Sequence, residues 1–216
     1  FLTELAQGVT LFETLHATRA GCRHLALHLA RLKDSASQLG YPCDVAAIAL
    51  RLDAACAELS DQTPYRLRLA LDAQGAITVQ HAPLNPLTAP VKVFLADTAT
   101  DSGDLFLRHK SSQRARYDAA WQEAERRGGF DLLFFNERDE LTEGGRSNVF
   151  VKIGGRWRTP PLACGVLPGV MRQVLLADPQ WDAAEAVITR ADLLDAQEIV
   201  VCNALRGALP AVLVTT

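Results

Sequence analysis

The sequence predicts an α+β protein organised as two domains, and three observations lead there. Two runs with strand alternation, Tyr65 to Leu71 and Ile77 to His81, flank an Asp-Ala-Gln-Gly turn. Leu25, Leu29, Leu32, Ala36 and Leu39 recur at helical spacing, and Gly40-Tyr41-Pro42 ends the pattern. A small polar stretch, Thr98 to Asp104, interrupts the patterned segments and reads as an interdomain linker.

Taken in order, Leu11 to Leu15 leads into a hairpin whose turn is Ala20-Gly21, and the first helix begins near Leu27. Asp44 is placed to cap a second helix through Val45, Ile48, Leu52, Cys56 and Leu59. The hairpin at 65–81 and a strand from Val91 to Ala96 complete a small domain, 1–97. A linker, 98–107, then leads to a larger domain, 108–216. There a helix runs from beyond Lys110 to Arg127, where Gly128-Gly129 stops it. Strands follow at Phe130 to Phe135, Leu141-Thr142, Asn148 to Ile153 and Arg156 to Thr159. A loop enters a helix near Gly169, and ADLLDA, EIVVCN and Ala211 to Val214 read as helix, strand and strand.

Composition narrows the function. With 216 residues, 49% hydrophobic and 22% charged, the chain can bury a proper core. A net charge of -3 gives no electrostatic attraction for nucleic acid or a membrane surface. No apolar stretch reaches the roughly 20 residues that span a bilayer, and no signal-peptide pattern starts at Phe1. The five cysteines are scattered and never in C-x-x-C spacing, so they read as reduced thiols of a cytoplasmic protein. His24 and His28 share a helical face, but no third ligand is evident and no metal is expected.

The chemistry concentrates between Phe106 and Phe150. Lys110 ends an apolar run before a helix, and Glu143 follows the strand FDLLFF and the turn NERDE. An amine and a carboxylate so paired suit an aldehyde cofactor with a basic ring nitrogen. The amine forms a Schiff base and the carboxylate keeps the nitrogen protonated. Pyridoxal 5'-phosphate answers that description.

Four blocks carry a resemblance: HK-x-x-x-R at Lys110, E-L-T-E-G-x-x-S-N-V-F at Glu143, T-P-P-L-x-x-G-V-L-P-G-V-M-R ending at Arg172, and H-x-x-R-L-x-x-S-A at His28. In their chain order, with the block at His28 first, they resemble the fold-type IV pyridoxal-phosphate enzymes, which include branched-chain and D-amino-acid aminotransferases and 4-amino-4-deoxychorismate lyase. The resemblance implies a two-domain fold, an active site between the domains, a small-molecule substrate and a homodimer. It assigns Arg31 to the cofactor phosphate, with the backbone of Val170 and Met171 at a helix start, where unpaired N–H groups favour a dianion. Asn203-Ala204 matches a further phosphate position, although Asn203 by itself could simply close a turn. Asn148 and Leu167 complete the implied cofactor set around Lys110 and Glu143.

Within that family three features resemble the lyase. Thr14 follows Phe12-Glu13 where branched-chain aminotransferases have glycine, and a hydroxyl there could protonate a leaving enolpyruvyl group. Arg114 lies four beyond the lysine, while Ala115 stands where those aminotransferases carry tyrosine. V-C-N-A-L-R-G resembles the lyase half of fused aminobenzoate-synthesis proteins. Threonine is common on any strand, and Arg114 could face water. A dianionic substrate needs cationic partners, for which Arg206 is the first choice beside Arg114 and Arg146. Tyr117 reads as helix packing. The alternatives are a class IV aminotransferase using 2-oxoglutarate, and a non-catalytic dimeric relative, which would need loss of the lysine. Stand-alone relatives begin with an additional strand, so the native start is expected to be missing, with the chain a trimmed enzyme or the carboxy-terminal module of a fused one.

Overall fold

Alternation along LFETLHAT builds the first sheet. A computed structural model describes residues 2–215. Its first unit comprises the described residues through Pro86 together with His109–Gln113. A short helix α1 (Leu2–Leu5) precedes β1 (Leu11–Thr18) and β2 (Gly21–Cys22), followed by α2 (Leu25–Leu39), α3 (Val45–Ala57), β3 (Tyr65–Leu71) and β4 (Ile77–Pro83). The sheet order is β2-β1-β3-β4, antiparallel throughout. Because side chains alternate along a strand, Leu11, Leu15 and Ala17 share a buried face with Leu67, Leu69 and Leu71. Phe12, Thr14, Arg66 and Arg68 fall on the other face. Helix α3 starts as expected, its Asp44 carboxylate accepting Ala47 N–H at 3.0 Å.

The second unit takes Leu87–Arg108 and the described residues from Arg114. It holds β5 (Val91–Leu95), α4 (Ala115–Arg126), β6 (Asp131–Phe135), β7 (Leu141–Gly144), β8 (Asn148–Ile153) and β9 (Arg156–Thr159). After these come α5 (Val170–Ala177), β10 (Ala184–Glu185), α6 (Arg190–Leu194), β11 (Glu198–Asn203) and β12 (Gly207–Leu213). They form one mixed eight-stranded sheet in the order β10-β9-β8-β11-β12-β5-β6-β7. Val93, Leu133, Leu141, Val149, Val151 and Val201 make the centre of its core, while Tyr117, Ala120 and Ala124 of α4 pack with Phe94 and Phe134. A run of five buried residues, DLLFF, is what a strand covered on both faces requires.

The units do not divide at the expected place. Val91–Leu95 pairs in parallel with β6 and β12, so it belongs to the second sheet and does not complete the small domain. Part of the expected linker is likewise structural: Thr100 is buried and bridges to Asn136, and Leu105–Arg108 forms a 3-10 turn. The segment holding Lys110, expected in the second domain, lies with the first unit. Phe12 N donates to Lys110 O at 3.0 Å and Ser112 N to Thr10 O at 2.8 Å. Alternation reveals which residues share a face but not which sheet a strand joins.

Among the described residues no helix is long and apolar enough to cross a membrane. Cys22 and Cys56, far apart in sequence, approach Sγ to Sγ at 3.5 Å as thiols. Burial and the neighbouring sulfur push Cys22 up to about 12.

Candidate active site

Lysine 110 is presented by the first unit. Its Nζ lies 4.7 Å from the centroid of the Phe12 ring, and the Arg68 guanidinium lies 4.4 Å from the same ring. Thr14 is two residues along β1 on the same face and is paired in register with Arg68. An amine, a hydroxyl and a guanidinium are therefore gathered around one strand face. Arg68 was not singled out in the sequence, although the Arg-x-Arg spacing of YRLRLAL put it on the polar face of its strand. Beside it, Thr10, Asp72, Thr78 and Gln80 help line a cavity of about 400 Å³.

The opposite face of β1 carries a feature the motifs did not announce. Glu13 is buried between Leu11 and Leu15, and both its oxygens are engaged. Arg31 donates from Nε at 2.9 Å and from Nη2 at 2.6 Å, and His28 Nδ1 approaches at 2.6 Å. Burial pushes the Glu13 carboxyl up, but the Arg31 charge and the hydrogen bonds from His28 and Arg31 outweigh it and hold the group at about 2. Burial pulls His28 down more than Glu13 raises it, so the contact is a hydrogen bond from a neutral imidazole, with the hydrogen on Nδ1. The helical spacing of His28 and Arg31 puts both on one face of α2. His28 is thus a carboxylate partner; among the described residues no cluster of three or more His, Cys, Asp or Glu is placed to hold a metal ion.

In the second unit Glu143 stands near the end of β7, 2% exposed. Its Oε2 accepts from Leu167 N at 2.7 Å and from Asn148 Nδ2 at 3.2 Å, and Asn148 also donates to Leu167 O at 3.1 Å. Asn148 and Leu167, named in sequence as cofactor ligands, therefore act on the carboxylate that would meet the cofactor. Oε1 is buried with no hydrogen-bond partner. Burial raises the carboxyl to about 7 despite the Arg114 charge and the Leu167 bond. Tyr117 Oη is buried beside Glu143 and helps hold the carboxyl down, while burial and the neighbouring carboxylate raise the tyrosine hydroxyl.

Asp131 fixes the turn that follows Glu143. It accepts from Gly145 N at 2.8 Å, Arg146 N at 2.9 Å and Ser147 Oγ at 2.7 Å. A Cβ at Gly144 would overlap the Asp131 carboxylate, and one at Gly145 would overlap Tyr117 O, which explains the paired glycines of the block. Arg114 is buried and does not face water: Nη2 donates to Gly145 O at 3.0 Å, and its Cζ lies 5.1 Å from the Tyr117 ring centroid.

Helix α5 begins where expected. Gly169 is its N-cap, and a Cβ there would overlap Asn148 Oδ1, so this helix start is packed against the shell that holds Glu143. Val170 is buried and Met171 half-buried in its first turn. Asn203 closes a turn: its side chain donates to Arg146 O at 2.9 Å and accepts from Arg206 N at 2.8 Å. Ala204 lies within that turn. Arg206 is half-buried, and burial with the nearby Arg146 cation pulls it below its ordinary value. Arg146 is held structurally, its Cζ 4.2 Å from the Phe130 ring centroid, its Nε donating to Phe130 O and its Nη1 paired with Glu125 at 3.1 Å.

The first unit presents a lysine on the strand face that also carries Thr14 and Arg68, and the second holds a buried carboxylate with one oxygen hydrogen-bonded and the other without a partner. The chain belongs to the amino-transferase class IV family, whose model matches residues 10–214. It is 28% identical over 202 residues to a putative aminodeoxychorismate lyase of Schizosaccharomyces pombe, covering 88% of this chain and 84% of that one. A crystal structure of a putative amino-acid aminotransferase from Mesorhizobium loti is 39% identical, with a TM-score of 0.86 over 95% of this chain and 100% of the other. The 4-amino-4-deoxychorismate lyase of Pseudomonas aeruginosa is 27% identical, with a TM-score of 0.80 over 97% of this chain and 84% of its own.

Proposed function

We propose that this chain is a pyridoxal-phosphate-dependent lyase that eliminates pyruvate from 4-amino-4-deoxychorismate to give 4-aminobenzoate. The observation that carries the reading is the placement of Lys110 and Arg68 over the Phe12 ring with Thr14 two residues along the same strand face, since elimination of an acidic leaving group needs a base, an acid and an anion receptor. The 28% identical relative from fission yeast bears the name of this activity.

The residues fit the cofactor. In the second unit Glu143 Oε1, buried and unpaired, suits a protonated ring nitrogen, and the start of α5 suits a phosphate; in the first, Arg31 carries the cationic group that the resemblance assigns to that phosphate. When bound, the group supplies an aldehyde that captures the substrate amine and a ring that accepts the electron pair left on carbon. Lys110 Nζ takes the proton from the carbon bearing that amine. The carbon–oxygen bond to the enolpyruvyl group then breaks, its electron pair leaving on oxygen, and Thr14 Oγ1 delivers a proton to that oxygen. Arg68 receives a substrate carboxylate, with Arg114 and Arg206 as the other candidates and Arg146 the least available. Glu143 holds the ring nitrogen's proton, kept in place by Leu167 N and Asn148 Nδ2. The helix start at Val170 and Met171 and the turn at Asn203-Ala204 offer backbone N–H groups to the phosphate. The homodimer and the cytoplasmic location are inferred from the family and the composition.

Incubating the purified chain with aminodeoxychorismate should release pyruvate with no keto-acid acceptor. Lys110→Ala should abolish both pyruvate release and the absorbance band that forms with pyridoxal phosphate; turnover by that variant would overturn the assignment. Amino-group exchange with 2-oxoglutarate and no pyruvate would favour the second reading, an aminotransferase, which the 39% identical Mesorhizobium structure supports by its name. Arg68→Gln should raise KM for the dianionic substrate by about tenfold or more, as loss of a charged hydrogen bond does.

A further inference from the structure

A glutamate on the covered face of a strand is a poor choice for packing alone, since the same face could be filled by leucine as at Leu11 and Leu15. Glu13 is nonetheless buried there and grips Arg31 by two parallel bonds, Nε to Oε1 at 2.9 Å and Nη2 to Oε2 at 2.6 Å. Two such bonds fix the plane of a guanidinium, whereas one leaves it able to swivel. His28 Nδ1, at 2.6 Å from Oε2, holds the carboxylate itself. His28 and Arg31 come from one helix and Glu13 from one strand, so the geometry is set by how α2 lies on β1. No catalytic step above uses Glu13.

We propose that Glu13 is a positioning residue for phosphate recognition, fixing the Arg31 guanidinium so that the protein distinguishes a phosphorylated pyridine aldehyde from an unphosphorylated one. The proposal rests on the assignment of Arg31 to the cofactor phosphate. A purely structural ion pair would instead weaken binding of both ligands together, or affect folding alone.

The test titrates the full chain with pyridoxal phosphate and, separately, with pyridoxal, following quenching of tryptophan fluorescence. Wild type is compared with Glu13→Asp, which keeps the charge but draws it back by one methylene, and with Arg31→Lys. Glu13→Asp should lower the preference for the phosphorylated ligand by about tenfold to a hundredfold, as misplacement by an ångström does, with pyridoxal affinity unchanged. Arg31→Lys should lose the preference to a similar extent. If Arg31→Lys loses it and Glu13→Asp keeps it, the phosphate assignment stands and the positioning role is overturned. If Arg31→Lys also keeps it, the assignment itself fails and the proposal falls with it. Should Glu13→Asp not fold, wild type still decides. With 15N-labelled arginine, the Arg31 Nε–H should remain protected from solvent exchange at saturating pyridoxal phosphate, and exchange at the rate of an exposed arginine would overturn the proposal.

Discussion

At Glu143 the cost of burying a carboxylate falls on the side chain proposed to face the cofactor. Its carboxyl is raised to about 7, so between about 4.5 and 7 the folded chain holds a proton that the unfolded chain has released. The folded state therefore loses stability across that window as pH rises, by on the order of a few kcal/mol. Glu143→Gln, which cannot ionise, should gain stability relative to wild type from pH 4.5 to 7 and hold that gain above it. Thermal melts of both proteins without cofactor would check this; a pH-independent difference would show that Glu143 does not titrate there. Tyr117→Phe removes a neighbouring hydroxyl that helps hold the Glu143 carboxyl down, so the pH window of Glu143 should move further up in the same melts. Both roles were half legible in sequence. Glu143 was found from its block and its place after a strand, whereas its unpaired oxygen depends on where Leu167 and Asn148 come to lie. Glu13 belongs to a Phe-Glu-Thr block, and alternation with Leu11 and Leu15 puts it on the apolar face, but its partners Arg31 and His28 come from a helix distant in sequence.

Elements place these residues, and the turn between β7 and β8 is the most demanding. Asp131, at the start of β6, takes two backbone N–H groups and one hydroxyl from that turn. Asp131→Ala leaves three donors without their acceptor and should cost roughly 3 kcal/mol in denaturant unfolding. It should also weaken cofactor binding, because the same turn carries the chain onward from Glu143. Loss of stability with unchanged cofactor affinity would separate the two roles. The start of α3 and the bounds of β8 and β11 were readable from a capping residue and apolar pattern, which are local, whereas α2 begins at Leu25, before the expected Leu27, and α3 ends at Ala57, short of Leu59. The partner strand of β5 was not, because pairing in parallel with β6 and β12 is settled by contacts distant in sequence.

For the whole molecule, the division into units matters more than any single pairing. The segment His109–Gln113 belongs to the first unit although the chain on both sides of it belongs to the second. A fragment ending at Asp97, the boundary expected from the polar stretch, would lose the pairing of Leu11 with Ser111 and the bond between Ser35 and His109 at 2.8 Å. It would also leave β5 without either neighbour. Such a fragment should show helix by far-ultraviolet circular dichroism but lack the fixed near-ultraviolet signal of the full chain; a cooperative melt would refute this. By itself the sequence determined the α+β class, most of the order of elements and the two groups proposed to carry the chemistry, because caps, apolar period and short motifs act over a few residues. Only the tertiary structure decided that Lys110 shares a strand face with Thr14 and Arg68, that Glu13 holds Arg31, and that Glu143 keeps one oxygen unpaired. Register, burial and the dielectric around a charge come from segments that meet only when the chain is folded.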